Sequence, residues 1–160
     1  MASNRVSMTN TGPRVAASGH FGALEAVKVD VLSRTAAFRV RTAEGLIGPE
    51  TVAPLSVIRP LSEEDETQFW RLLVDDLFRI LREKGEVPDF VKGYKVSTGE
   101  DSTGDPTLYV DVLLAPTREI ASDATVARWT SFTDLLQEAL LQLRLQRWPH
   151  VRVRELRRSR

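Results

Sequence analysis

The acidic segment at residues 99–106 combines residue types that could bind a phosphate or a cation. It reads Gly-Glu-Asp-Ser-Thr-Gly-Asp-Pro and brings together the carboxylates of Glu100, Asp101 and Asp105. Its two glycines have the spacing of a Walker A phosphate loop, which requires Lys and then Ser or Thr after the second glycine. Asp105 and Pro106 stand at those positions instead. Because Asp repels phosphate and Pro lacks a backbone donor, the segment is not expected to bind phosphate.

A metal site is the second chemistry that these carboxylates suggest. Hard cations prefer several oxygen ligands, and Asp111 in the following strand would add one more carboxylate. The spacing of an EF-hand loop is absent, however. Glycines that adopt unusual dihedrals, and Asp and Ser side chains that bond the turn backbone, explain the composition as a tight loop. We therefore expect neither a metal nor a cofactor, and a metal-dependent enzyme using Asp101, Asp105 and Asp111 is the weakest hypothesis.

An arginine series at the C-terminal end is the strongest binding signal in the sequence. Residues 144–160 contain seven Arg and one Glu. In Val151-Arg152-Val153-Arg154, strand alternation places both Arg side chains on one face. Such a stripe could bind nucleic-acid phosphates or an acidic partner, or it could protect a sheet edge from aggregation. The predicted binding residues are Arg147, Arg152, Arg154, Arg157 and Arg158.

Asp111 lies in the middle of an apolar strand and needs a separate explanation. Alternation puts Tyr109, Asp111 and Leu113 on one face, while the opposite face is entirely apolar and forms the core. We expect Asp111 on the solvated face, with Lys95 or Arg152 as a cross-strand neighbour. Acid–base catalysis would require a second acid in register, so no catalytic residue is predicted.

The composition excludes several classes of protein. The 160 residues are 42% hydrophobic and 28% charged, with a formal net charge of zero and no cysteine. Disulfides, thiol catalysis and cysteine-bound metals are therefore excluded. No apolar run approaches the ~18 residues that a membrane span requires, and the N-terminus lacks a signal-peptide core. These features predict a cytoplasmic protein, and the preference for Arg and Ala suggests a bacterial source.

The periodicity predicts an α+β fold in four segments. Residues 1–19 are expected to be a disordered arm, and residues 20–60 a small antiparallel β meander whose third strand is interrupted at Gly48-Pro49. Residues 61–156 predict an α-β-β-α-β domain with both helices on one face of a small sheet. Residues 157–160 form a basic tail.

The ends of the two helices have recognisable signals. Ser62 and Asp65 resemble a capping box, and Gly85 is a natural stop for the first helix. The second helix should begin at Ser122 or Asp123 and continue to about Leu145, where Trp148-Pro149 breaks it. Apolar residues at spacings of three and four place Trp70, Trp129 and Val126 on the core faces.

The order α-β-β-α-β over residues 64–156 resembles K-homology-like RNA-binding domains of the ribosome-binding factor A type. The run Tyr109-Val110-Asp111-Val112-Leu113-Leu114 and the Pro-containing last strand carry the similarity, which implies RNA binding. Residues 101–106 together with residues 147–151 also resemble small bacterial proteins associated with toxin–antitoxin or defence loci. That second resemblance implies an accessory role without chemistry.

Three hypotheses of function follow. The first is a non-enzymatic protein-interaction or accessory subunit of a bacterial complex, with a protein partner at the sheet edge and the arginine-rich end. The exposed edge strand would also allow self-association. The alternative is an RNA-binding protein with a K-homology-like body, and the second alternative is the weak metal-dependent enzyme.

Overall fold

The computed structural model describes residues 12–20, 22–115 and 123–155. It contains an antiparallel sheet, a mixed sheet and two α-helices, which confirms the α+β class. Internal contacts divide the chain into two compact units after Asp76, within the first helix, α1 (Glu63–Glu83). The predicted boundary at residue 60 instead preceded the helix. The first turns of α1 thus belong to the N-terminal unit.

The N-terminal unit contains a five-stranded antiparallel sheet. Its strands are β1 (Arg14–Ala17), β2 (Leu24–Asp30), β3 (Thr35–Thr42), β4 (Gly45–Pro54) and β5 (Ile58–Pro60), with a 3₁₀ turn at Leu55–Val57. Their order in the sheet is β4-β3-β2-β1-β5.

β1 corrects the prediction of a disordered arm, which is wrong for Arg14–Ala17; the prediction for residues 1–11 lies outside the described residues. Val15 is fully buried, and β1 pairs with both β2 and β5. A four-residue strand in a segment rich in Ser and Gly gives no periodic signal of its own. Its order comes from two neighbouring strands, which sequence patterns do not reveal.

β4 continues through the predicted interruption. Pairing passes from Phe38 opposite Thr51 to Val40 opposite Ile47, so it advances by two residues on β3 and by four on β4. The extra residues include Gly48 and Pro49, and they form a bulge rather than a strand end. Pro is tolerated there because β4 is an edge strand.

Two buried carboxylates, those of Asp65 and Glu25, form hydrogen bonds that stabilise β1 and β2 in the N-terminal unit. Asp65 accepts hydrogen bonds from the backbone N–H of Arg14 at 2.9 Å and from the Ser62 hydroxyl at 2.7 Å. The Asp65 N–H donates to Ser62 Oγ at 3.1 Å, which confirms the predicted cap of α1. Glu25, also buried, accepts bonds from the Gly12 N–H and from Arg41 Nη1, each at 2.6 Å.

The C-terminal unit is a three-stranded sheet with the order β6-β7-β8. β6 (Val91–Glu100) and β7 (Pro106–Leu114) form the predicted antiparallel hairpin. Helix α2 (Asp123–Gln142) then connects β7 to β8 (Trp148–Glu155), which is parallel to β7. The last seven residues of α1 also belong to this unit, and α1 stops at the predicted Gly85, whose φ is 70°.

One face of this sheet forms the core of the C-terminal unit. Leu108, Val110 and Val112 of β7 are completely buried, and Phe132, Leu136 and Leu140 of α2 are 2% exposed or less. Phe78 stacks on Tyr94 of β6 with ring centroids 4.2 Å apart. The stripe predicted for α2 is correct at its centre, but Val126 is 40% exposed and Trp129 is only partly buried.

The end of α2 differs from the prediction. The helix ends at Gln142 because Arg144 adopts a left-handed conformation with φ of 51°, and Trp148-Pro149 is the start of β8 rather than the break. Pro149 is buried, and its carbonyl oxygen accepts a bond from Gln137 Nε2 at 2.6 Å. Gln137 Oε1 in turn accepts the Val151 N–H at 2.9 Å. A side chain of α2 thus forms hydrogen bonds with backbone groups on the outer edge of β8.

Candidate functional site

Asp101 organises the acidic loop through its own carboxylate. Asp101 Oδ1 accepts the Thr103 N–H at 2.8 Å, the Thr103 hydroxyl at 2.7 Å and the Asp105 N–H at 2.9 Å. The Thr103 hydroxyl bond, together with the backbone donors, lowers the pKa of Asp101 because these bonds favour the ionised form. Gly104, with φ of 87°, supplies the conformation that the turn requires. The Asp101 carboxylate therefore stabilises the turn that connects β6 and β7.

The other two loop acids lie nearby but do not form a metal site with Asp101. Asp105 Oδ2 accepts the Thr103 hydroxyl at 3.0 Å, and Glu100 contributes its carbonyl oxygen to the Tyr109 hydroxyl at 3.0 Å. Asp111 lies six residues along β7 from Asp105, about 20 Å of extended strand. In the described part of the chain, no group of three or more acidic or histidine side chains could hold a metal ion. The three acids of the enzyme hypothesis are therefore not brought together.

Arg147 is tied to the base of the same hairpin. Its Nη1 donates to the carbonyl oxygen of Gly99 at 2.9 Å and lies 3.4 Å from that of Thr107. These two carbonyls belong to paired residues of β6 and β7, just below the acidic loop. Arg147 was predicted to bind a partner, and the structure gives it a contact inside the unit. Its guanidinium group links the start of β8 to the hairpin.

Asp111 lies on the face opposite the core, as alternation predicts, but the prediction that it is solvated is wrong because the residue is buried. The residue is 6% exposed, and its carboxylate accepts Arg152 Nε at 2.6 Å and Arg152 Nη2 at 3.1 Å. Arg154 Nε lies 3.4 Å from Asp111 Oδ2. Strand register explains the cluster, because Asp111 lies opposite Arg152 on one side and Lys95 on the other, the two neighbours predicted. The long arginine side chains cover the carboxylate, an effect that alternation alone does not predict.

An aromatic ring supports the arginine that holds Asp111. The Arg152 guanidinium carbon lies 4.2 Å from the centre of the Tyr109 ring, a cation–π contact. His150 approaches the same ring edge-on, with centroids 5.9 Å apart. Arg152 is thereby fixed from two sides. Arg157 and Arg158, the remaining predicted binding residues, lie outside the described residues.

A cleft of about 650 Å³ lies at the loop end of this sheet. The acidic loop contributes Asp101 and Asp105, and the segment between α2 and β8 contributes Arg144, Arg147 and Trp148. Trp148 is 61% exposed, which is unusual for the largest apolar side chain. The cleft therefore has carboxylates on one wall and an accessible indole on the other.

A second surface, which the sequence reasoning missed, lies on the N-terminal unit. The β3–β4 arm, residues 39–52, contains a stretch in which residues 43–50 are all exposed. Four branched apolar side chains on the arm are also exposed: Val40 at 41%, Leu46 at 39%, Ile47 at 54% and Val52 at 60%. The signal available in the sequence was an apolar pair, Leu46-Ile47, beside the turn Glu44-Gly45. Alternation predicts a strand from this pair but not its exposure.

No protein-family model, curated protein or solved structure matches the chain. The similarity to K-homology-like domains and to small accessory proteins thus stays a prediction. Neither described helix is long and apolar enough to cross a membrane.

Proposed function

We propose that the chain is a non-enzymatic protein-binding module whose β3–β4 arm contacts a partner protein. The observation that carries the proposal is the exposure of four apolar side chains on one hairpin, with Val40 and Ile47 on one face and Leu46 and Val52 on the other. Single exposed apolar residues are common on monomers, whereas several together on one element are typical of an interaction surface. The narrower role in a toxin–antitoxin or defence system stays a prediction.

The arrangement of the arm explains how it would contact a partner. Val40 and Ile47 are direct cross-strand partners, and Val40 has the same alternation as the buried Phe38. Val40 and Ile47 therefore lie on the same face of the sheet as the buried core, but past the point where that face is covered. Fully burying such a side chain contributes about 1.5–3 kcal/mol, so covering these half-exposed groups would contribute about 1 kcal/mol each.

The contact is expected to use side chains rather than added strands. β4 is an edge strand, but the bulge at Gly48 and Pro49 disrupts the row of backbone donors that a new strand would need. The edge of β8, the site predicted from the sequence, is occupied by Gln137 at Pro149 and Val151. A partner with an apolar patch of its own fits the arm, and Arg39 with Glu50, 3.8 Å apart, would form part of a polar rim.

The test is partner capture with the tagged full chain, followed by reconstitution with the purified partner. Val40→Ser and Ile47→Ser together should weaken binding at least tenfold, because this cross-strand pair supplies the apolar area on one face of the arm. The matched control is Leu32→Ser, since Leu32 is 72% exposed and lies in the β2–β3 turn. Exposed substitutions of this kind change stability by about 0.5 kcal/mol or less, which thermal unfolding verifies.

The proposal fails if the double variant binds every reconstituted partner as tightly as the control does. Sedimentation of the chain alone separates a second possibility, in which two copies cover each other's arms. A concentration-dependent dimer that Ile47→Ser abolishes would show that the arm binds a second copy of this chain rather than a different protein.

A further inference from the structure

The face of the three-stranded sheet opposite its core is not covered by either helix within the C-terminal unit. The core side is formed by Val110 and its neighbours of the same alternation, which α2 covers. The opposite side presents Lys95, Ser97 and His150, all exposed, around the partly exposed Tyr109. We call this opposite side, from Trp148 to Arg154 on β8 and including Lys95 on β6, the open face.

Cations exceed carboxylates on the open face. Lys95, Arg152 and Arg154 share it with one acid, Asp111, so the four groups carry a net charge of +2. Asp111 and Tyr109 fix the Arg152 guanidinium group in one orientation, and the Arg154 side chain is 60% exposed. One fixed cation beside two exposed ones on a sheet complements the phosphates of a nucleic-acid backbone.

An exposed aromatic ring begins the same strand. Trp148 is 61% exposed, and it shares the alternation of His150 and Arg152. Burial of an indole is favourable, so a ligand that covers the exposed ring of Trp148 would gain binding free energy. Stacking on unpaired bases is one such use, since every base offers an apolar face.

We propose that the open face binds single-stranded nucleic acid, with a base stacked on Trp148 and phosphates against Lys95, Arg152 and Arg154. The residues Trp148 and Arg154 are six positions apart, about 20 Å along the strand, which accommodates a short run of nucleotides. Asp101 and Asp105 line the cleft beside Trp148 and would repel phosphate there. The base therefore lies at the loop end, and the backbone runs towards Arg154.

The indole decides between this ligand and an acidic peptide. Charge alone would attract either polyanion, but every residue of a nucleic acid pairs its phosphate with a flat base that can stack on Trp148, whereas Asp and Glu side chains supply no ring. A duplex keeps its bases stacked inside, so it would use the cations without the ring. This surface is separate from the β3–β4 arm in its residues, and its test is independent of the proposed function.

The experiment is fluorescence anisotropy of labelled 12-nucleotide oligo-uridine and oligo-thymidine with the full chain at 50 and 200 mM salt. Trp148→Ala should weaken binding about 5- to 150-fold, as expected for the loss of one stacked base, while Trp148→Phe retains most of the affinity. Lys95→Ala and Arg154→Ala should each reduce the slope of log affinity against log salt by about 0.7. Lys84→Ala, an exposed cation just after α1, is the matched control.

Three results would overturn the proposal. The first is no binding at 50 mM salt by a chain whose melting curve shows it folded. The second is binding that Trp148→Ala leaves unchanged, or that a duplex matches, because the face would then be a general polyanion surface. The third is equal competition by a poly-glutamate peptide, which would assign the face to an acidic protein.

Discussion

Replacing Asp111 with Asn separates the charge of this carboxylate from its size. The Asp111 side chain is 8% exposed and makes two bonds to Arg152, at 2.6 and 3.1 Å. Hydrogen bonds to charged groups contribute about 1.5–3 kcal/mol, and Arg152, whose side chain is 34% exposed, would regain part of its hydration. We expect Asp111→Asn to lower the free energy of unfolding by about 2 kcal/mol. Urea denaturation at pH 7 measures it as a lower midpoint with an unchanged slope.

A double-mutant cycle assigns that energy to one arginine. Arg152 is bound through two nitrogens and stacked on Tyr109, whereas Arg154 makes a single 3.4 Å contact and is 60% exposed. The coupling between Asp111 and Arg152 should be about 2 kcal/mol, and that between Asp111 and Arg154 about 0.2–1 kcal/mol. Arg152→Leu and Arg154→Leu supply the two single variants for the cycles.

Replacing both Asp111 and Arg152 with leucine gives the most direct test of this ion pair. Removing one partner of a buried pair leaves the other charge uncompensated, whereas replacing both with apolar groups is often neutral. Asp111→Leu with Arg152→Leu should therefore be more stable than Asp111→Leu alone. The reasoning is wrong if the double variant is the less stable of the two, or if Asp111→Asn changes the unfolding free energy by less than about 0.5 kcal/mol.

Three further perturbations test the local structure. Ser62→Ala should reduce stability in urea by about 1 kcal/mol through loss of the α1 cap, while Ser62→Thr retains most of it; equal losses would refute the cap. Thr103→Val should raise the pKa of Asp101 in an NMR titration. Because the pKa of Asp101 is lower in the folded than in the unfolded chain, its ionised carboxylate stabilises the fold above the unfolded pKa, and this stability is lost as pH falls through the folded pKa. In Thr103→Val the unfolding free energy should therefore fall less steeply with decreasing pH. Gln137→Ala should free the β8 edge and promote self-association measured by sedimentation, and a strictly monomeric variant would contradict this role.

Local patterns predicted the C-terminal unit well because its elements are long and regular. The hairpin of β6 and β7 and the end of α1 at Gly85 follow from alternation and from a glycine stop, signals that lie within a few residues. The end of α2 was wrong, since a non-glycine residue, Arg144, adopts the left-handed conformation there. Sequence rules assign that conformation to Gly or Asn, and they placed the break at Pro149 instead.

Non-local pairing accounts for the errors in the N-terminal unit. β1 has four residues, and its order depends on β5, more than forty residues away in the chain. Exposure of the β3–β4 arm is likewise a property of the assembled sheet. Leu46 and Ile47 have the composition of a core strand, and only the position of β4 at the edge shows that they face solvent.

The candidate site shows why counting charges overestimates a binding surface. The predicted stripe treated Arg147, Arg152 and Arg154 as equivalent. In the structure Arg147 bonds two carbonyl oxygens of the hairpin, Arg152 is held by Asp111, and only Arg154 has a mostly exposed side chain. What distinguishes the open face is therefore the combination of the fixed Arg152 and the exposed Arg154 with the exposed ring of Trp148. Because electrostatic attraction is long-ranged and unspecific while stacking needs contact, substitution of that ring is the decisive perturbation of this surface.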